Sequence, residues 1–436
     1  MLSAMINWLY RQCTKHPILR RVAFACARLV PELLHVALNG RVRNRSGYYA
    51  GLYPTDPHPK IYFDVTHLVN AQIKTGIQRV VLSLYQATKK EFGDSYQVCQ
   101  VYLCYSGEND AWLYHHYDPA LETVSLQAIV PGPQDVFLGV DLNALIIKPV
   151  KSGLFKDWQR RGVTIAFFVH DILPIEHPEW WPKGAAKNHE LWLNAVLDVA
   201  THVICVSETT LQSVRKFLAD CEQSRHDIVF KAIRLGSDLA TESTFKDGLP
   251  LEPKCLEIIK GAKTFAMVGT LEPRKAHQDV LAAFDLLWSK DWDSVLVFVG
   301  KHGWMREGLV KRLQNHPMQG TKLFWLQDLT DEALAQVYDA SDFVVQASFA
   351  EGFGLPAIEA LRAGKIVIAR DIPIFREVLG SNAHYFPADV GPGELADVFR
   401  RVIESPLAFD KVPLHEDATQ TWSKTARQVA EVLGLR

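Results

Sequence analysis

The chain has 436 residues, 48% of them hydrophobic and 22% charged, with a formal net charge of −2. That length is too great for one ordinary core and suits two domains. The composition excludes a disordered or fibrous chain, and the near-balanced charge provides no global field for nucleic acid.

The first 45 residues carry Arg11, Lys15, Arg20, Arg21, Arg28, Arg41, Arg43 and Arg45 against one acid, Glu32. Between them lie Met5, Ile6, Trp8, Leu9, Tyr10, Phe24 and Leu29. Residues 1–58 therefore read as a basic amphipathic helical extension ending in a Pro- and Gly-rich linker (YYAGLYPTDPHP). Such a helix can lie on an anionic membrane surface through residues 1–45, or pack on the protein or a partner subunit.

From residue 60 the pattern alternates strand and helix. Strand-like runs fall at 60–65, 96–104, 135–140, 163–169 and 202–206, with a helix over about 77–90. A polar stretch over 241–253 separates this from a second series at 263–268, 294–299, 322–326, 342–346 and 365–369. Runs such as VLVFV (295–299) have no polar face, as expected of parallel strands buried on both sides. The alternation predicts two α/β units: a first domain over 59–245 and a second over 246–412. A helical pattern over 422–435 (WSKTARQVAEVLGL) closes the sequence, within a final segment at 413–436.

The seven cysteines (Cys13, Cys26, Cys99, Cys104, Cys205, Cys221 and Cys255) form no C-x-x-C pair and no zinc spacing with histidine. Their odd number suits a reducing compartment, and Cys205 reads as core packing. No uncharged apolar run of about 18 residues predicts a membrane span. The stretch over 22–38 is broken by Arg28, Pro31 and Glu32, and no signal peptide is expected.

Ligands of such sheets bind beyond the carboxyl ends of the strands. Four loops there hold chemistry. His170-Asp171 follows the run at 163–169, and Gly269-Thr-Leu-Glu-Pro-Arg274-Lys275 follows 263–268. Ala347 to Glu359 (ASFAEGFGLPAIE) follows 342–346, and Asn70 to Gly76 links the first strand to its helix. Gly352 and Gly354 admit close ligand approach, Pro356 suits a first helical turn, and Gly364 suits its end. The helix start is an anion site, with Glu351 just ahead of it and Glu359 one turn past Leu355.

Glu351 and Glu359, with seven residues between them around Gly-Phe-Gly-Leu-Pro, resemble the signature of retaining glycosyltransferases of family GT4. The resemblance covers residue 60 to the end and is densest in the second half. It implies the GT-B fold, two Rossmann-like domains facing across a cleft. It implies that Glu351 binds donor-sugar hydroxyls and that amides at Gly352, Phe353, Gly354 and Leu355 touch sugar or phosphate. Glu359 would bind ribose hydroxyls, and Arg274 and Lys275 the donor diphosphate. Gly76 matches the first-domain glycine loop, with Thr75 where a second glycine is common, and Arg79 is a weaker candidate in the next helix. His170 matches a histidine beside the reacting sugar. Asp171 either orients it or caps its loop, and residues 325–329 would line the base pocket. The last helix would cross back to the first domain.

The implied function is a retaining hexosyltransferase that uses a nucleotide-diphosphate sugar, GDP-mannose, on a glycan or lipid-linked glycan acceptor. The setting would be surface-polysaccharide synthesis in the cytoplasm, peripheral on the inner face of the membrane. No cofactor and no metal are expected. Asp291-Trp292-Asp293 resembles a metal motif of another transferase fold but precedes its strand, and reads as surface loop. Ser207 reads as a helix N-cap. The competing readings are a non-catalytic nucleotide-sugar-binding subunit and a membrane-associated scaffold.

Overall fold

The computed structural model describes residues 58–70, 76–106, 111–221, 227–238, 248–304, 307–404 and 420–435. The basic extension through residue 57 lies outside them. So do positions 71–75 of the first glycine loop, 241–247 of the expected linker and 405–419 before the last helix.

The first domain is built on eight strands: β1 (Lys60–Asp64), β2 (Gln97–Ser106), β3 (Ala111–Asp118), β4 (Thr123–Ala128), β5 (Val136–Gly139), β6 (Thr164–Val169), β7 (His202–Cys205) and β8 (Val229–Ala232). Their order is β4-β3-β2-β1-β5-β6-β7-β8. Six of them run parallel, while β3 and β4 add an antiparallel meander beyond β2. The second domain has β9 (Lys263–Val268), β10 (Ser294–Val299), β11 (Leu323–Leu326), β12 (Phe343–Gln346), β13 (Ile366–Arg370) and β14 (Ala383–Phe386). They form one parallel sheet in the order β11-β10-β9-β12-β13-β14.

The period-2 geometry of a strand sends alternate side chains to opposite faces. In β6, Ile165, Phe167 and Val169 enter one core while Ala166 and Phe168 enter another. In β10, Leu296 and Phe298 pack on one face and Val295, Val297 and Val299 on the other. Full burial of each large side chain contributes roughly 1.5–3 kcal/mol. One of these cores crosses the domain boundary, joining Val80 and Phe168 to Ala266, Val297 and Phe353.

Helices that position the cleft are α1 (Gly76–Phe92), α2 (Ala185–Val199), α3 (Glu208–Asp220), α4 (His277–Trp288), α5 (Asp331–Ala340), α6 (Leu355–Arg362), α7 (Pro373–Leu379) and α8 (Trp422–Leu433). Gly76 is the first residue of α1, not the end of the loop before it. α8 crosses back and packs on α1, with Arg427 Nε donating to Glu91 Oε2 at 2.6 Å. The sequence expectation lacks β3, β4, β8 and β14. Asp291 and Asp293 lie at the amino end of β10, away from the cleft, with Asp293 beside Lys322. No helix among the described residues is long and apolar enough to cross a membrane.

Candidate active site

In the second domain, Pro273–Lys275 forms a single tight turn between β9 and α4. The turn ends on Ala276, a non-glycine residue at φ 60°, a costly conformation that persists only where the surroundings enforce it. It directs Arg274 and Lys275 at the loop after β12. Phe349 N–H donates to Arg274 O at 2.8 Å, and Arg274 Nη1 donates to Ala350 O at 3.0 Å.

Both cations converge on Glu351. Lys275 Nζ donates to Oε1, Ser348 Oγ donates to Oε1 at 2.7 Å, and Arg274 Nη1 lies 2.7 Å from Oε2. Burial alone pushes this carboxyl up, but Arg274 and Lys275 outweigh it and hold it at about 2. Glu351 is therefore a fixed anion near neutral pH. Behind it, Glu272 Oε2 approaches Arg274 Nε at 2.9 Å, an ionic contact without hydrogen-bond alignment. Burial raises the Glu272 carboxyl. Burial opposes the charge on Arg274, yet Glu351 and Glu272 reverse this and raise its pKa.

The helix start at Gly354 (φ 88°) presents N–H groups that have no intrahelical partner. The Phe353 side chain is buried in the core, which leaves only its backbone to a ligand. Gly352 meets the first domain directly. A Cβ there would lie 1.9 Å from His170 O, so only glycine fits. Ser207 Oγ, which also caps α3, donates to Gly352 O at 2.7 Å.

On the first-domain side, His170 Nε2 lies 2.7 Å from Val140 O. A carbonyl only accepts, so Nε2 carries the proton and Nδ1 keeps a lone pair. Burial lowers the His170 pKa, which favours this neutral ring. Asp171 Oδ1 accepts from Leu173 N–H at 3.1 Å, so its carboxylate caps the loop.

Arg79 bridges the cleft. Its Nη1 donates to Glu359 Oε1 at 2.6 Å and its Nη2 to Asp331 Oδ1 at 2.7 Å. Tyr338 Oη donates to Glu359 Oε2 at 2.9 Å. Gly76 faces Leu355, so the starts of α1 and α6 converge from opposite domains. Residues 325–329 lead from β11 toward Asp331, beside this bridge.

The structure thus gathers His170, Arg274, Lys275, Glu351, Gly352, Gly354, Leu355, Glu359 and Gly76 around one cleft. It also brings in residues that sequence reasoning passed over: Glu272, Ser348, Asp331 and Tyr338. Arg79, ranked low, is central. A further omission is the aromatic group His177, Trp180 and Trp181 after β6, whose signal was the adjacent tryptophans of HPEWWP (177–182).

Residues 251–428 match the family model Glycosyl transferases group 1. The match lies in the second domain, which is therefore similar to the group 1 glycosyl transferases. The serotype-specific mannosyltransferase WbdA of Escherichia coli is 34% identical over 385 residues, covering 86% of this chain and 46% of that protein. The O-antigen chain mannosyltransferase RfbU of Salmonella typhimurium is 38% identical over 229 residues, 52% of this chain and 58% of that one. The chain spans about half the length of the curated relatives it matches. The crystal structure of Anabaena HepE in complex with UDP-glucose aligns with a TM-score of 0.57 at 16% identity, covering 86% of this chain and 100% of that one. Sucrose-phosphate synthase from Thermosynechococcus elongatus aligns at 0.57 and 16%, covering 86% and 98%. These likenesses establish the GT-B fold.

Proposed function

We propose that the chain is a retaining glycosyltransferase that moves mannose from GDP-mannose to a glycan or lipid-linked glycan acceptor in surface-polysaccharide synthesis. The carrying observation is the Arg274–Lys275–Glu351 cluster at the meeting point of two helix starts from opposite domains. The printed names of the relatives support mannose, and HepE, which shares the fold, is solved with a nucleotide sugar.

The donor diphosphate would lie between the starts of α1 and α6, where backbone N–H groups and helix dipoles favour anions. Lys275 and Arg274 would stabilise the charge that grows as the glycosidic phosphate bond breaks. A carboxylate offers about four lone-pair positions. Glu351 has three contacts, from Lys275, Ser348 and Arg274, and so keeps room for one sugar hydroxyl. Glu359 keeps room for ribose hydroxyls. His170 Nδ1 can accept from another sugar hydroxyl. Glu351, held at about 2 by two cations, is a poor base and a poor nucleophile. That disfavours a covalent glycosyl intermediate and favours front-face attack, with the departing phosphate taking the acceptor proton. The cations built into the site supply the charge that a metal would bring, so we expect no metal requirement. A peripheral place on the inner membrane face is the reading that the basic residues 1–45 support.

Calorimetric titration with GDP-, UDP-, dTDP- and ADP-sugars, with and without EDTA, tests the proposal. GDP-mannose should bind in both conditions, and Lys275→Ala and Glu359→Ala should each weaken it about tenfold or more. Binding without any transfer or donor hydrolysis would favour the non-catalytic subunit. No binding by any sugar nucleotide overturns the donor site.

A further inference from the structure

Arg370 is the last residue of β13, which pairs with β12 and so ends beside the start of the Glu351 loop. Its side chain is 0% exposed, the largest so deeply buried among the described residues. A buried guanidinium normally meets a carboxylate, because an unpaired charge is costly to desolvate. Here burial lowers the Arg370 pKa and Asp279 offsets only part of that, with no ion pair among the described residues.

Its partners are two backbone carbonyls and two rings. Nε donates to Ala347 O at 2.8 Å, and Nη1 donates to Ala388 O. The guanidinium lies 4.2 Å from the Phe349 ring centroid and 5.2 Å from that of Phe386, within cation–π range. Nη2 is buried and makes no hydrogen bond among the described residues. An apolar side chain of similar volume would fill such a place without desolvating a charge. Packing alone therefore does not account for the cation.

Ala347 and Phe349 belong to the loop that carries Ser348 and Glu351. Two guanidinium groups grip that loop: Arg370 holds Ala347 O at its start, and Arg274 holds Ala350 O near its end. Between them, Ser348 Oγ donates to Glu351 Oε1 at 2.7 Å. Trp180 of the first domain stacks on the same Phe349 ring, with centroids 6.1 Å apart at 26°. Arg274 also faces Glu351 and, on the transferase reading, the donor diphosphate. A ligand that draws on Arg274 competes with its hold on Ala350. Arg370 is fully buried, so its grip lies out of the ligand's reach. Resting on that reading, we propose that Arg370 is a positioning residue, which fixes the loop through Ala347 and Phe349 so that Glu351 meets the donor sugar in one geometry. It touches neither sugar nor diphosphate.

The test titrates the full chain with GDP-mannose and with GDP by calorimetry, in wild type and in Arg370→Met. GDP-mannose affinity should fall about tenfold, while GDP affinity stays within about twofold, because only the sugar contact depends on the loop. Ser348→Ala supplies a cycle, since its hydroxyl acts on the same carboxylate. The double variant should lose little more than the worse single variant, as expected of residues that act through one group. Should Arg370→Met fail to fold, Phe349→Leu removes the stacked ring from a side chain already 38% exposed, and GDP-mannose affinity should fall about threefold. Unchanged GDP-mannose affinity in the folded variant overturns the positioning role. So does an equal loss of both ligands, which would make Arg370 a general support of the site, or a fully additive cycle. If neither ligand binds the wild-type protein, the GDP-mannose reading fails, and this proposal falls with it.

Discussion

Replacing Arg79 with alanine should loosen the two domains and weaken the donor together. The guanidinium is the only described side chain that donates to both Glu359 and Asp331. Its side chain is 19% exposed, whereas that of Glu359 is only 4% exposed. Breaking a fully buried pair costs about 3–5 kcal/mol and an exposed one roughly 0.2–1. This bridge sits between those limits, so about 2 kcal/mol of closure energy should be lost, or roughly a 30-fold shift toward open forms. Small-angle scattering of the free Arg79→Ala protein should report a larger radius of gyration, and calorimetry a weaker donor. Arg79→Lys should recover little, because an ammonium cannot span two carboxylates as a planar fork does. An unchanged radius with donor affinity within about twofold of wild type would refute the bridging role.

Two other perturbations probe the same cleft. The Glu351 carboxyl drops from the ordinary 4.5 to about 2 on folding, so its contribution is complete above about 4.5 and fades as pH falls toward 2. The stabilisation is roughly 3 kcal/mol. In urea unfolding, the gap between wild type and Glu351→Gln should shrink steadily from pH 5 to pH 2; a constant gap would contradict the ionic origin. Gly352→Ala puts a methyl group 1.9 Å from His170 O, a backbone atom that cannot rotate away. A cost of about 1–3 kcal/mol against closure is expected, read as a loss of transfer rate with the unfolding midpoint of each separate sheet preserved.

The central parallel strands were legible because burial on both faces forces a continuous apolar run. The 263–268 and 294–299 predictions coincide with β9 and β10. The missed strands are different in kind. β8 and β14 are four-residue edge strands, and β8 is exposed at alternate positions, so neither needs an apolar run. β3 (AWLYHHYD) is half-buried in an antiparallel meander and interrupts the βα alternation that the reading relied on. The Glu351 loop could be read because its glycines, proline and glutamates are local. The Arg79 bridge could not, because its partners lie 252 and 280 residues away. Glu272 and Ser348 sit inside motifs already quoted, but nothing in their spacing shows that they face the Arg274–Glu351 pair.

The docking of α8 has a consequence for biosynthesis. Trp422, Ala426, Val429 and Leu433 share a core with Val80, Val81 and Leu84 of α1. Gly236 makes room for this, since a Cβ there would lie 2.4 Å from Trp422 N. The ribosome emits α8 only after the whole second domain. Until then the flank of α1 faces water, and the first domain leaves the exit tunnel with an unfinished apolar groove. Chaperone occupancy during translation should therefore persist past the first domain and end with the release of residues 422–433.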